Sequence, residues 1–289
     1  MKYALLGAGG QLGHDLQSRL PGQVAAWTRA QADLTQPAAM RAAVEALRPD
    51  VVVNCAAYNL VDKAESDPAA AFAVNAWGVR DLAMTCRDLD CTLVHFSTDY
   101  VFGLDHSRRA PWTETDAPGP VSVYGLSKLS GEYLVRAICP RHFVVRTCGL
   151  YGVWGAGGKG GNFVETMLRR ASEGKPLRVV QDQWCSPTYT ADLAAAAASL
   201  TGTDSYGLYH LTNSGSCSWY DFAEAILETA GVQGDLAPIT SREFGAAARR
   251  PTYSVLARTG YERLGLPAMR PWREALTAYL DERRWKNRT

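Results

Sequence analysis

The chain opens on a glycine run, Gly7-Ala8-Gly9-Gly10-Gln11-Leu12-Gly13, and no other stretch constrains its fold as tightly. The residues before it, Tyr3-Ala4-Leu5-Leu6, are apolar and read as a strand. Those after it place Leu12, Leu16 and Leu20 at helical spacing. A glycine turn between a first strand and a first helix presents bare backbone N–H groups at a helix N-terminus, where the pyrophosphate of a dinucleotide binds. With that turn at its very start, the chain is expected to be a whole enzyme rather than a fragment.

Beyond the turn, strands and helices alternate. Strand-like runs at 24–27, 51–54, 93–96 and 143–146 are separated by helical patterns at 11–20, 37–47, 68–89 and 124–138. This predicts an α/β fold, a Rossmann-type doubly wound parallel sheet with helices on both faces. Val51-Val52-Val53 and Phe143-Val144-Val145 are apolar throughout, as strands covered on both sides must be. After Thr147 the pattern changes. Residues 149–161 carry seven glycines in thirteen positions around Trp154 and read as a mobile loop. Helices are then expected at 162–173 and 190–200, and short strands at 177–180 and 208–211. After Ser218 come a helix, a loop and a final amphipathic helix to about Arg284. The expected division is a Rossmann domain over residues 1–147, rejoined by 176–212, and a smaller, discontinuous C-terminal substrate lobe made of 148–175 and 213–289.

Several function classes are disfavoured. The net charge is +1, so a basic nucleic-acid-binding surface has no support across the chain. No run approaches the roughly 20 apolar residues of a membrane helix, and residues 1–20 carry glycines where a signal peptide would be apolar. The seven cysteines are odd in number and form no C-x-x-C pair. They read as buried thiols of a cytoplasmic protein, without structural zinc or a disulfide framework.

The spacing of the turn is G-x-x-G-x-x-G over Gly7, Gly10 and Gly13. The common G-x-G-x-x-G fingerprint would put Leu12 where its last glycine belongs. The observed spacing, with Gln11 and Leu12 inside it, resembles the extended branch of the short-chain dehydrogenase/reductase superfamily. The second strand ends in Thr28-Arg29, with no carboxylate where NAD-preferring sites carry one for the ribose 2′-OH. Arg29 suits a 2′-phosphate, so NADPH is the expected cofactor, with NADH as the alternative. The resemblance further implies that Asp33-Leu34 contacts adenine and that Ala56, Ala57 and Tyr58 line the cofactor. It also implies that Asn75 is the helix asparagine of the superfamily.

Tyr124-Gly125-Leu126-Ser127-Lys128 is a Y-x-x-x-K, whose i,i+4 spacing sets phenol and ammonium on one helix face. A tyrosine is a poor acid-base group at neutral pH, and a nearby cation lowers its pKa by stabilising phenolate. Thr98 ends the fourth strand, where doubly wound folds gather their active-site residues. Ser97-Thr98-Asp99-Tyr100-Val101-Phe102-Gly103 and Y-G-x-x-K together resemble the dTDP-4-dehydrorhamnose reductase family. Val61-Asp62-Lys63-Ala64-Glu65, Gly161-Asn162-Phe163, Asp182-Gln183, Ser186-Pro187-Thr188, and Arg250-Pro251 with Ser254 and Leu256 fit the same family. The likeness runs from residue 1 to about Ala275.

That resemblance implies hydride transfer from NADPH to C4 of dTDP-4-dehydro-6-deoxy-L-mannose, giving dTDP-L-rhamnose. Tyr124 is then the proton donor. Lys128 lowers its pKa and holds the nicotinamide ribose, and Thr98 hydrogen-bonds the carbonyl oxygen. The diphosphate needs cations and backbone donors, for which Arg250 and the helix start at Asn162 are candidates. Tyr100 is the candidate to pack on the sugar, and by resemblance Asn59 and Val61 lie beside it. Dehydratases of this fold carry an Asp-Glu pair after the threonine. Here Asp99 is followed by Tyr100, which disfavours dehydration. One departure stands out. Family members carry a tryptophan two residues after the Arg-Thr pair that ends the fifth strand, and this chain has Gly149. The aromatic wall is either missing or supplied by Trp154 or Trp184. Two other functions suit such a fold: a reductase or epimerase of another nucleotide-linked 4-keto-6-deoxy sugar, and a non-catalytic NADP-binding regulatory subunit. The intact Thr98, Tyr124 and Lys128 argue against the second. No nucleic acid or membrane partner is expected, and the resemblance leaves room for a homodimer.

Overall fold

A computed structural model describes residues 1–154 and 161–286. Its first half runs β1 (Lys2–Leu6), α1 (Gln11–Arg19), β2 (Gln23–Trp27), α2 (Pro37–Leu47), β3 (Val51–Asn54), α3 (Val61–Ser66) and α4 (Pro68–Phe72). A π-helical turn (Ala73–Gly78), α5 (Val79–Asp88), β4 (Thr92–Thr98), α6 (Val123–Ile138) and β5 (His142–Thr147) come next. The second half holds β6 (Leu150–Tyr151), α7 (Phe163–Ser172), β7 (Leu177–Val180), β8 (Trp184–Cys185), β9 (Thr188–Tyr189) and α8 (Thr190–Thr201). Then come β10 (Gly207–His210), β11 (Cys217–Ser218), α9 (Trp219–Ala230), β12 (Leu236–Ile239), α10 (Ser241–Phe244), α11 (Thr259–Glu262) and α12 (Trp272–Lys286).

Six strands form one parallel sheet in the order β2-β1-β3-β4-β5-β10. Successive side chains point to opposite faces. Tyr3, Leu5, Val53, Val94, Phe96 and Val145 pack with Leu12 and Leu16 of α1 and Leu193 and Ala197 of α8. Ala4, Leu6, Val52, Leu93 and Val144 pack with Met40 and Val44 of α2, Leu82 and Cys86 of α5 and Val135 of α6. The apolar runs of β3 and β5 are thus buried on both sides. β2 and β3 lie on opposite sides of β1, so the strand order reverses between β1 and β3. The crevice at their carboxyl ends is where this architecture binds ligands.

The smaller lobe has its own core, with Tyr151, Val164, Leu168, Phe222, Ile226, Leu276 and Tyr279 at its centre. The structure differs from expectation at three places. Leu177 and Val179 belong to this core, because β7 pairs in parallel with β12 and not with the main sheet. We therefore place the return of the chain to the large layer at Thr190, where α8 begins, rather than at residue 176. The helix expected over 68–89 is three pieces: α4, the π turn and α5. Within the glycine-rich segment expected to be a mobile loop, Leu150–Tyr151 form β6 and pair with β9, while residues 155–160 lie outside the described residues. No described helix is long and apolar enough to cross a membrane. All seven cysteines are free thiols.

Candidate active site

The turn after β1 is built for close approach. Gly7 has φ +76°, and a Cβ there would lie 2.7 Å from the Ala56 nitrogen on the neighbouring β3 segment. A Cβ on Gly13 would lie 2.3 Å from the Gly7 carbonyl oxygen, so α1 starts hard against the turn. The N-terminus of α1 has no side-chain cap and no acidic residue in its first turn. Its first N–H groups remain available to an anion. The bare turn and the uncapped helix start fit a dinucleotide pyrophosphate.

The Gln11 side chain points elsewhere. Its Oε1 accepts from the Gly152 nitrogen at 2.7 Å and from Asn162 Nδ2 at 3.0 Å. Asn162 caps α7, its Oδ1 accepting from the Glu165 nitrogen at 3.0 Å, while Nδ2 also donates to the Gly152 carbonyl. Capping and the links to Gln11 and Gly152 use the whole Asn162 amide, so what the start of α7 has to offer a diphosphate is its backbone N–H groups.

After the second strand, two of the expected cofactor residues meet each other. Arg29 Nε donates to Asp33 Oδ2 at 2.8 Å, with the Arg29 side chain 81% exposed. Partial burial pushes the Asp33 carboxyl up, but hydrogen bonds from Arg29 and Thr35 outweigh it and hold the pKa below the usual value. The cation expected for a 2′-phosphate already has an i,i+4 partner, and that partner is the carboxylate expected to meet adenine. Leu34 is a core residue, buried with Met40 and Val79. Asn75 is 1% exposed and works from behind. It accepts from the Tyr58 nitrogen at 2.9 Å and donates to the Tyr58 carbonyl at 2.8 Å and to Ser127 Oγ at 3.0 Å. It thereby holds the segment Ala56-Ala57-Tyr58 against α6.

The carboxyl end of β4 carries Thr98 and Asp99. Thr98 Oγ1 donates to Asp99 Oδ1 at 3.1 Å and accepts from the Tyr100 nitrogen at 3.2 Å. Asp99 Oδ2 accepts from Ser254 Oγ at 2.6 Å and from Cys148 Sγ at 3.0 Å. Burial pushes the Asp99 carboxyl up, against these bonds. Asp99 is an anchor that holds Thr98 in place.

Tyr124 and Lys128 sit one turn apart on α6, whose N-terminus is capped by Ser122 Oγ accepting from Gly125 N at 3.1 Å. Lys128 Nζ donates to the Phe96 carbonyl at 2.6 Å, and burial pulls its pKa down to about 8. Burial pushes the Tyr124 phenol up to about 12, a hydrogen bond with Thr98 pulling the other way. Loss of water around the phenol dominates, and the Lys128 ammonium one turn away does not bring the pKa below the ordinary tyrosine value. The Tyr100 ring meets Tyr124 edge-on, at 5.8 Å between centroids and 79°.

Twelve of the expected site residues line one cleft of about 440 Å³: Gly7, Gly10, Gln11, Leu12, Gly13, Ala57, Asn59, Val61, Thr98, Tyr100, Tyr124 and Lys128. Arg29, Asp33, Leu34, Ala56, Tyr58, Asn75 and Asn162 are outside its lining. Arg250 lines a second cavity of about 540 Å³, together with Arg170, Arg178, Phe163 and Phe244. It is held by Asp62, whose carboxylate accepts from Arg250 Nη1 at 3.1 Å and Nη2 at 2.8 Å. Tyr100 and Trp219 line both cavities. Sequence reasoning missed Trp219, Arg170 and Arg178. The two arginines look like ordinary surface cations, and Trp219 belongs to no motif. Trp154, expected as a substitute wall, stacks on His14 at 4.7 Å and 12°. Trp184, the other candidate, is 42% exposed. Neither lines either cavity.

The parallel sheet, the glycine turn at its switch point and the Tyr-x-x-x-Lys helix beside it place the chain among the short-chain reductases of Rossmann fold. It belongs to the family described as RmlD substrate binding domain, whose model matches residues 1–285. It is 42% identical over 286 residues to the dTDP-4-dehydrorhamnose reductase of Streptomyces griseus, covering 96% of this chain and 92% of that one. It is 38% identical over 281 residues to the dTDP-4-keto-6-deoxy-D-glucose reductase of Streptomyces niveus, covering 96% and 95%. The crystal structure of dTDP-4-dehydrorhamnose reductase from Bacillus anthracis, in complex with NADP, matches with a TM-score of 0.92 at 38% identity, covering 97% of this chain and 99% of that one.

Proposed function

We propose that this chain uses NADPH to reduce the C4 ketone of dTDP-4-dehydro-6-deoxy-L-mannose, forming dTDP-L-rhamnose in the cytoplasm. One observation carries the reading. The cleft that holds the glycine turn, Thr98, Tyr124 and Lys128 adjoins a cavity bearing Arg170, Arg178 and Arg250, and the two share Tyr100 and Trp219. A nucleotide-linked sugar needs this arrangement, with cations for its diphosphate at one end and a proton donor at the other.

The residues divide the work. The turn Gly7–Gly13 and the start of α1 hold the pyrophosphate, and NADPH bound there supplies the hydride. Tyr124 gives its proton to the C4 oxygen as negative charge develops on it. A phenol pushed up to about 12 keeps its proton at neutral pH until negative charge develops on the substrate oxygen. Lys128, mostly charged below pH 8, stabilises the phenolate left behind and contributes to holding the ribose. Thr98, fixed by Asp99, orients the carbonyl. Arg250, Arg170 and Arg178 take the diphosphate. Asn59, Val61 and Tyr100 border the sugar.

A panel of dTDP- and UDP-linked 4-keto-6-deoxyhexoses, offered with NADPH or NADH and followed by nicotinamide absorbance, tests the reading. Consumption with dTDP-4-dehydro-6-deoxy-L-mannose and recovery of dTDP-L-rhamnose is expected. Turnover confined to a different 4-keto sugar, a reading favoured by Gly149, would move the assignment to that sugar. Tight NADPH binding without consumption of any substrate would support a regulatory subunit.

A further inference from the structure

Trp219 stands at the first position of α9, and its backbone is fixed there. Ser218 Oγ accepts from the Asp221 nitrogen at 3.1 Å, and Asp221 Oδ2 accepts from the Ser218 nitrogen at 3.0 Å, a reciprocal capping box. Phe163 supports the indole at 4.8 Å between centroids and 56°. The side chain so held is one of two, with Tyr100, that line both cavities. In a sugar nucleotide the hexose ring carries the diphosphate at C1 and the reacting carbon at C4, so the ring belongs where the two cavities meet.

Residue 149 determines whether the indole reaches that place. Gly149 has φ +54°, and a Cβ there would lie 3.4 Å from Trp219 Cη2 and 3.3 Å from the Pro187 Cα. A Cβ alone would be in contact, and a longer side chain would contend with the far edge of the indole. The room left at Gly149 and the reach of Trp219 are complementary.

We propose that Trp219 is the aromatic wall of the hexose subsite and a specificity-determining residue, its indole using space that a side chain at position 149 would take. An aromatic face covers the apolar face of a sugar ring and keeps water from it. The inference rests on the substrate reading given above.

Calorimetric titration of the full-length protein with dTDP-L-rhamnose and with dTDP tests it, using wild type, Trp219→Ala, Trp219→Phe, Gly149→Trp and the double variant Gly149→Trp/Trp219→Ala. Trp219→Ala should weaken dTDP-L-rhamnose binding by roughly tenfold or more, and dTDP binding much less. Trp219→Phe should retain most of the hexose affinity. Gly149→Trp should weaken hexose binding, and adding Trp219→Ala should restore part of it. Backbone strain at 149 is common to the single and double variants, so the recovery reads the shared space. Trp219→Ala with wild-type urea midpoint and wild-type dTDP-L-rhamnose affinity would overturn the inference. So would a double variant that binds more weakly than Gly149→Trp. A wild type that binds neither nucleotide would overturn the substrate reading, and the wall with it.

Discussion

Lys128→Met removes a buried ammonium and keeps most of the side-chain volume. In the wild type, Lys128 is 2% exposed, and burial lowers its pKa from 10.5 to about 8. The unfolded chain keeps the ordinary value. Between these two values the unfolded state binds a proton that the native state has released, so native stability rises with pH across that window. Below pH 8 both states are protonated and the native state bears the whole penalty. The gap between 10.5 and about 8 corresponds to about 3 kcal/mol at neutral pH, of which about 1 kcal/mol remains at about pH 10. Methionine carries no such proton. The unfolding free energy of wild type relative to variant should therefore improve by about 2 kcal/mol between about pH 7 and about pH 10. Other groups titrating in this range are present in both proteins and largely cancel. The lost hydrogen bond to the Phe96 carbonyl offsets the comparison at every pH but leaves its slope unchanged. Urea unfolding of both proteins at the two pH values measures the slope. A difference that does not move with pH would refute the buried, titrating ammonium.

The remaining predictions concern chemistry, cofactor choice and the link between lobes. Tyr124→Phe should lower kcat by about 10²–10⁴-fold with NADPH Kd nearly unchanged. In the wild type kcat should fall as pH rises through about 8, where Lys128 loses its proton, and not only near the Tyr124 value of about 12. A profile flat to about pH 10 would count against the role of Lys128. Asp33→Asn should free Arg29 and raise the kcat/KM preference for NADPH over NADH by up to about fivefold, since an exposed pair is worth about 1 kcal/mol or less. An unchanged ratio would remove Arg29 from the cofactor site. Asn162→Ala should cost about 1–2 kcal/mol in urea unfolding, because a helix cap and the contact with Gln11 go together.

Features made by neighbours in sequence were legible before the structure. The turn Gly7–Gly13, the Tyr124–Lys128 pair and the apolar runs of β3 and β5 each declare themselves within a few residues. Those that depend on distant partners were not. β7 looks like any short strand, and its partner β12 contains Pro238, which demotes such a run to a loop; a two-stranded edge tolerates it. The π turn disturbs the helical repeat between Ala73 and Gly78 too little to be read from apolar spacing. Arg29 and Asp33 stand four residues apart, a helical pairing distance, but they lie in a loop after β2, where spacing alone does not show that they meet. Trp219 and Gly149 are seventy positions apart, and only folding brings the indole edge to the glycine.

The sixth strand of the large sheet, β10, and the helix α8 that covers α1 are both encoded after the first segment of the smaller lobe. A chain growing from its N-terminus therefore reaches Thr147 with Phe143 and Val145 on an open edge and with Leu12 and Leu16 facing water. About fifty more residues must emerge before Leu193 and Ala197 can close that face, a non-local contact whose loop closure slows folding. The dinucleotide half is thus the earlier part in sequence and a late part to be completed. During synthesis it exposes an apolar face and an unpaired strand edge, the surfaces on which folding intermediates aggregate.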